Sequence, residues 1–170
     1  MSETIVNKVA ASGLVSLDLA DLSPKGERAA IDLKDVLWQG LVLKEKDFRE
    51  FVKTNDWSRY QNKFVAVYCS EDAIVQDWAY MLIASALAPY ARRTVVASPA
   101  ELETLLLHEA IHQLDVSQYT NARVVVKGCG DVKIPASAFV ELVNKLQPVV
   151  GSLMYGEPCS TVPVYKRPKK

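Results

Sequence analysis

The sequence predicts an α/β fold, a layered domain with a partly parallel (mixed) sheet and helices on its faces. Three short apolar stretches, at residues 63–68, 94–97 and 122–127, have the composition of buried strands. Helical patterns of roughly 10 to 20 residues separate them, which is typical of βαβ units with parallel strands. Because 49% of the 170 residues are hydrophobic, the chain can bury a continuous core. We therefore expect a single domain over residues 1–170, with no internal repeat.

The first 43 residues are predicted to be irregular and rich in strands. Residues 5–11 have the pattern of a short helix. Residues 14–19 alternate apolar and polar side chains, as a half-buried strand does, and residues 29–33 form a second candidate strand. Residues 37–43, which include Trp38 and Gly40, predict either a third strand or an irregular lead into the next helix.

From residue 44 the pattern is clearer. Helices are predicted at residues 45–54, 73–87, 99–115 and 136–153, and the three apolar strands lie between them. Ser70 or Asp72 is expected to cap the second helix. Ser98, Pro99 and Glu101 have the spacing of a capping box at the start of the third. Residues 156–170 form an extended C-terminal tail with an edge strand near 161–165.

The three cysteines are the candidate metal ligands. Cys69 and Cys129 each follow a predicted strand, and they would emerge at the same sheet edge if those strands are parallel neighbours. The tail could bring Cys159 to them. Three thiolates, with Asp131 as a possible fourth ligand, suit zinc or an iron–sulfur cluster. The alternative is a plain interaction module in which the cysteines are buried as small apolar side chains.

A second candidate site is the HExxH segment, His108, Glu109 and His112. In zinc hydrolases such a segment supplies two metal ligands and a general base. However, both histidines fall on the side of the predicted helix opposite its apolar stripe. They are the only histidines in the chain, so a third ligand would have to be acidic, such as Glu141 or Glu157. No nucleophile and base stand out elsewhere, and the sequence does not favour an enzyme.

Composition and missing motifs exclude several other function classes. Twenty basic residues balance twenty acidic ones, which gives no net attraction to nucleic acid or to an anionic membrane. No glycine-rich phosphate loop follows a strand, so no nucleotide cofactor is expected. No apolar stretch approaches the roughly 20 residues of a membrane span. The N-terminus has no secretory signal pattern and cysteines are few, so we expect a cytoplasmic protein.

Three segments carry a resemblance to a known family: GLVLKEKDFREF at residues 40–51, VKGCGD at 126–131 and YGEPCSTVPVYK at 155–166. They resemble uncharacterised bacterial proteins grouped as a domain of unknown function, and the likeness extends over nearly the whole chain. Such proteins are often encoded beside the sulfur-mobilisation machinery for iron–sulfur cluster assembly. The resemblance therefore implies a metal- or cluster-binding accessory factor with assembly proteins as partners. The family pattern includes Cys69, Cys129 and Cys159, but not the two histidines.

Overall fold

The computed structural model describes residues 13–128, 134–157 and 159–168. The strands are β1 Leu14–Asp18, β2 Arg28–Asp32, β3 Phe64–Tyr68, β4 Arg93–Val96, β5 Arg123–Lys127, β6 Ser152–Glu157 and β7 Ser160–Lys166. The α-helices are α1 Leu19–Leu22, α2 Glu45–Thr54, α3 Asp77–Leu87, α4 Pro99–Gln113 and α5 Ala136–Leu146. Short 3₁₀ turns lie at Leu33–Val36, Trp57–Tyr60 and Ser117–Tyr119. No helix within the described ranges is both long enough and apolar enough to cross a membrane.

The strands form two sheets, and the predicted α/β class with a partly parallel sheet is confirmed. One sheet has the order β1-β5-β6-β7, in which β1, β5 and β6 are parallel and β7 is antiparallel to β6. The other has the order β2-β3-β4 and is parallel throughout. The chain divides into two compact units, unit 1 (Met1–Pro24 and Thr104–Lys170) and unit 2 (Lys25–Glu103). Whether they unfold together as one domain stays a prediction.

Each unit has its own apolar core under its sheet. In unit 1, Val124 and Val126 of β5 belong to one buried cluster with Leu142 of α5. In unit 2, Val65 and Val67 of β3 belong to another with Ile83 of α3. Alternate side chains of a strand point to the same face, so the spacing of two residues directs both valines of each pair into the core.

The two units repeat one sequence of elements, and the prediction of no internal repeat is wrong. α2, β3, α3 and β4 of unit 2 correspond to the end of α4, β5, α5 and β6 of unit 1. Corresponding positions are separated by 59 residues, as between Asn62 and Asn121. These pairs are buried in both units: Phe48 and Leu107, Tyr60 and Tyr119, Val65 and Val124, Val67 and Val126, Ala79 and Ala138, Ile83 and Leu142, Leu87 and Leu146.

Matching hydrogen bonds support the correspondence. Asn62 and Asn121 both have positive φ, 59° and 58°. The Asn62 N–H donates to the carbonyl of Tyr90 at 2.9 Å, and the Asn121 N–H donates to that of Val149 at 2.8 Å. The repeat is hidden in the sequence because apolar types interchange at the buried positions. In addition, all of unit 2 lies in the chain between β1 and the second half of α4.

The capping box at the start of α4 is confirmed. The Ser98 N–H donates to Oε2 of Glu101 at 2.7 Å, and the Glu101 N–H donates to Oγ of Ser98 at 3.3 Å. Ser98 holds the pKa of the Glu101 carboxyl below its usual value. The hydrogen bond from its backbone N–H has the larger effect, and the one from its hydroxyl has the smaller effect. The predicted bounds of α2 are also found as predicted, and β7 contains the predicted edge strand.

Four predictions of local structure need correction. α3 begins at Asp77 rather than residue 73, and its N-cap is Gln76 rather than Ser70 or Asp72. The Ser70 N–H donates to Oδ1 of Asp32. α5 ends at Leu146 rather than near residue 153, and residues 152 and 153 belong to β6. β4, expected to be buried, has exposed ends.

The segment at residues 37–43 is not a strand of either sheet, but a tight turn. The Trp38 N–H donates to the carbonyl of Val42 at 2.8 Å, and Gln39 and Gly40 both have positive φ. Such a pair of central residues is typical of a type I′ turn. The short helix predicted at residues 5–11 lies outside the described residues.

Candidate functional site

Cys69 lies directly after β3 in unit 2. Its side chain is half-buried and packs against the apolar core of that unit, together with Tyr80 of α3. Burial, and then the nearby Cys69 and Asp77 groups, raise the pKa of the Tyr80 hydroxyl. These contacts are those of a small apolar side chain at the rim of a core.

Cys159 is exposed in the turn between β6 and β7 of unit 1. Beside this turn, Nζ of Lys127 lies 2.6 Å from a carboxylate oxygen of Glu157. The hydrogen bond to Glu157 is the main cause that raises the pKa of the Lys127 ammonium, and the charges of Glu157, Asp18 and Cys159 add to it. The ends of β1, β5 and β6 thus gather mixed charges near one thiol.

The expected shared edge for Cys69 and Cys129 rested on β3 and β5 being neighbours in one sheet, and that premise is wrong. β3 lies in the sheet of unit 2, and β5 lies in the sheet of unit 1. Cys129 and Asp131 lie outside the described residues. Within the part of the chain that the structure describes, no three His, Cys, Asp or Glu side chains are grouped to hold a metal ion. The described cysteines alone therefore do not fit zinc or a cluster.

The two histidines of the HExxH segment contact α5 rather than each other. Nε2 of His108 lies 3.1 Å from Oγ of Ser137, and Nε2 of His112 lies 3.2 Å from Oε1 of Glu141. Glu141, considered above as a third ligand, thus pairs with one histidine only. The side chain of His112 is 67% exposed, as expected from the helical pattern. Among the described residues, each histidine thus has a contact with a polar side chain of α5.

Unit 1 has an apolar cavity of about 380 Å³ between α5 and its sheet. α5 contributes Phe139, Val140 and Val143 to the lining, and Val164 of β7 lies at its outer side. Its remaining walls come from β5 and β6. The only side-chain heteroatoms in the lining are the sulfur of Met154 and the hydroxyl of Tyr155. No ionisable acid or base other than this phenol lines the cavity.

The aromatic part of the lining depends on a glycine. The rings of Phe139 and Tyr155 meet edge to face, with centroids 5.5 Å apart. A Cβ at Gly128 would lie only 2.3 Å from Cζ of Phe139, so a glycine at the end of β5 is what lets this ring lie there. In unit 2, Cys69 corresponds to Gly128 and Tyr80 corresponds to Phe139.

Sequence reasoning did not identify these apolar surface residues. Val140 of α5 and Tyr155 of β6 are 62% and 38% exposed, and their counterparts in unit 2, Met81 of α3 and Val96 of β4, are 70% and 62% exposed. The available signal was the spacing of 59 residues, which pairs Val140 with Met81 and Tyr155 with Val96. Single exposed apolar residues are common on protein surfaces, but here two neighbouring apolar positions are exposed in both copies. Such grouped apolar residues are typical of binding surfaces.

Comparison with known families identifies one match. The family DUF2480, described as a protein of unknown function, matches residues 3–167. No curated protein and no solved structure matches the chain.

Proposed function

The chain belongs to the DUF2480 family of proteins of unknown function, and we propose that it is a non-enzymatic binding protein whose unit 1 holds an uncharged, apolar small molecule. The observation that carries this proposal is the cavity of about 380 Å³ between α5 and the sheet. Its volume falls within the range of about 300–1,000 Å³ that is common for small-molecule sites.

The chemistry of the lining selects the class of ligand. Apolar surface that leaves water contributes about 25 cal/mol per Å², so an apolar ligand gains most from these walls. A charged group would lose its hydration without finding a partner there, which costs several kcal/mol or more. Met154 adds an adaptable side chain, and Phe139 and Tyr155 offer ring edges and faces to the ligand.

Titration with the uncharged dye Nile red tests the proposal. We expect saturable binding with enhanced fluorescence, together with changes in the methyl NMR signals of Val143 and Val164. Val143→Trp fills the cavity and should weaken binding at least tenfold. The matched control is Ala84→Trp, because Ala84 is the counterpart of Val143 on α3. Absence of saturable binding, or equal binding by both variants, would contradict the proposal.

The cysteine site ranks second to the cavity. Cys69, Cys129 and Cys159 as ligands of zinc or an iron–sulfur cluster stay a prediction of the sequence, and so do iron–sulfur assembly proteins as partners. Metal and acid-labile sulfide analysis of anaerobically purified protein tests the site. Stoichiometric metal that is lost in each single Cys→Ser variant would support it. The zinc hydrolase reading has no further support, because His108 and His112 contact separate residues of α5.

A further inference from the structure

The outer edge of β4 in unit 2 is open. In its sheet β4 is the last strand, and among the described residues it pairs only with β3. Val96 at its end is 62% exposed, and Met81 on the packed helix α3 is 70% exposed. An edge strand can pair with another chain, which natural proteins usually prevent with charges or a covering element. The one charged residue of β4 is Arg93 at its start, away from Val96 at its end.

The backbone register indicates which groups point outward. The Ala97 N–H donates to the carbonyl of Val67 at 3.1 Å, and Val67 lies opposite Val96. Because the N–H and C=O groups of successive strand residues alternate in direction, those of Thr94 and Val96 point away from β3.

Unit 1 has a strand at the corresponding edge. Leu153 and Tyr155, the counterparts of Thr94 and Val96, lie opposite Tyr165 and Val162 of β7. Val164 of β7 also lines the apolar cavity. The copy in unit 1 thus demonstrates how an antiparallel strand occupies this edge. Tyr155 beside β7 is 38% exposed, whereas its counterpart Val96 is 62% exposed. Unit 2 has no counterpart of β7 within the described residues.

The surface of α3 agrees with a covered edge. From Trp78 to Pro89 the chain has no charged residue, although Met81, Ala84 and Ser85 are exposed. A helix that is apolar on nearly all sides is normally buried. α5, in contrast, has Glu141, Asn144 and Lys145 in the corresponding stretch. The uncharged surface of α3 suits an apolar neighbour and offers no partner to a charged one.

We infer that β4 binds an extended segment of a partner protein as an added antiparallel strand. The segment pairs with the outward N–H and C=O groups of Thr94 and Val96. Its alternate side chains are apolar and uncharged where they lie over Val96 and Met81, as those of β7 are in unit 1. In this mode main-chain hydrogen bonds supply affinity, and the side chains on one face of the strand supply selectivity.

The test uses ¹⁵N-labelled full-length protein and a synthetic peptide with the sequence of β7, STVPVYK. We expect saturable changes in the amide signals of Thr94 and Val96. The same peptide N-methylated at its first valine lacks the N–H that belongs to Val162 in β7, and it should bind at least tenfold more weakly. No change at these two amides up to millimolar peptide, or no effect of N-methylation, would overturn the inference.

Two matched variants locate the binding. Val96→Lys puts a charge where the added strand would lie, and it should weaken peptide binding at least tenfold. Val140→Lys in unit 1 changes a residue of equal exposure and should leave peptide binding unchanged. If Val140→Lys weakens binding instead, the peptide occupies the cavity and the inference fails. Nile red binding tests the cavity of unit 1. A failure of Nile red binding would therefore contradict the proposed function and not the inference about β4.

Discussion

In unit 1 the third parallel strand is β6, and β7 pairs with its outer edge. In unit 2 the third parallel strand is β4, and its outer edge has no partner strand within the described residues. The strands and helices before these edges correspond position by position, down to the left-handed Asn62 and Asn121. The repeated positions are therefore those that the common fold requires. Differences between the copies are where function has to be sought.

Two such differences lie beside the third strand. β7 adds Val164 to the outer side of a cavity in unit 1. In unit 2 the related surface of α3 and β4 remains open, with Met81 and Val96 exposed. One copy thus forms an apolar recess whose rim residues Val140 and Val164 are exposed, and the other has an edge without a partner strand among the described residues. The predictions below test how far the two copies are alike, from the largest expected effect to the smallest.

The largest effect should come from the core of each copy. Leu142 and Ile83 correspond to each other and are at most 1% exposed. Leu142→Ala or Ile83→Ala should each lower the free energy of unfolding by about 2–5 kcal/mol, through lost burial and a cavity. Urea unfolding measures both. Val140→Ala and Met81→Ala, at exposed counterparts, should change it by about 0.5 kcal/mol or less. A small loss at Leu142 or Ile83 would contradict the assigned cores.

A smaller effect should separate Gly128 from its counterpart Cys69. Gly128→Ala places a Cβ against the ring of Phe139, so we expect a loss of about 1–3 kcal/mol from overpacking. Cys69 already carries a Cβ, and Cys69→Ala should cost about 1 kcal/mol or less. Thermal unfolding of both variants measures the difference. Gly128→Ala should also weaken Nile red binding, and unchanged binding would argue against Phe139 as part of the site.

The left-handed asparagines should differ in the hydrogen bonds of their side chains. Oδ1 of Asn62 accepts a long hydrogen bond of 3.5 Å from the neighbouring Gln61, whereas Oδ1 of Asn121 accepts one from the distant Arg167. Asn62→Ala should lose about 1 kcal/mol, because alanine is strained at positive φ. Asn121→Ala should lose about 1.5–2.5 kcal/mol, because it also removes the hydrogen bond from Arg167. Glycine relieves this strain, so Asn62→Gly should be nearly neutral. Asn121→Gly should still lose about 0.5–1.5 kcal/mol, because Oδ1 of Asn121 accepts a hydrogen bond from Arg167. Equal results for the two glycine variants would contradict a structural role for this bond.

The smallest effect concerns pH. Asp56 and Asp115 correspond to each other, and each accepts hydrogen bonds from the hydroxyl and backbone N–H of a serine two residues later. These hydrogen bonds hold the pKa of both carboxyls below its usual value. The main cause is the hydroxyl of Ser58 for Asp56 and the backbone N–H of Ser117 for Asp115. A lowered folded-state pKa stabilises the fold above the unfolded pKa of about 3.9, and this contribution is lost as pH falls through the folded value.

Asp56→Ala and Asp115→Ala should therefore unfold at lower urea concentration than the wild type at pH 7. The difference should shrink as the pH falls below about 4, where the wild-type carboxylates protonate. Unfolding midpoints between pH 2.5 and pH 7 measure this trend. A difference that stays constant over this range would rule out the carboxylate charge as its cause.

The sequence predicts the elements that local chemistry specifies. Alternation or apolar composition reveals β1, β2, β3, β5 and the edge strand within β7, and the capping box at Ser98 locates the start of α4. β6 was not predicted because the apolar residues that follow Pro148 and Gly151 extend the apolar pattern of α5. A Cβ at Gly151 would lie 2.7 Å from the carbonyl oxygen of Asn121, a contact between residues far apart in the chain. Local sequence patterns cannot reveal such a contact.

The two sheets and the candidate site depend on long-range pairing. β1 pairs with β5 although all of unit 2 lies between them in the chain, so neighbouring strands in sequence belong to different sheets. Cys69 consequently lies in one unit and Cys159 in the other. The cavity needs α5, β6 and β7 together, and neither the composition of α5 nor that of β7 indicates a recess. The spacing of 59 residues relates the two copies, and it is evident from the bounds of their strands and helices.

Amide hydrogen exchange at the third strands tests the difference between the two copies most directly. We predict slow exchange for Leu153 and Tyr155, whose strand is paired on both sides, and also for Ala97, which donates to Val67. Thr94 and Val96 should exchange much faster, because their N–H groups point away from β3 toward an open edge. Protection of Thr94 and Val96 equal to that of Leu153 and Tyr155 would contradict the account, because the edge of β4 would then be occupied already.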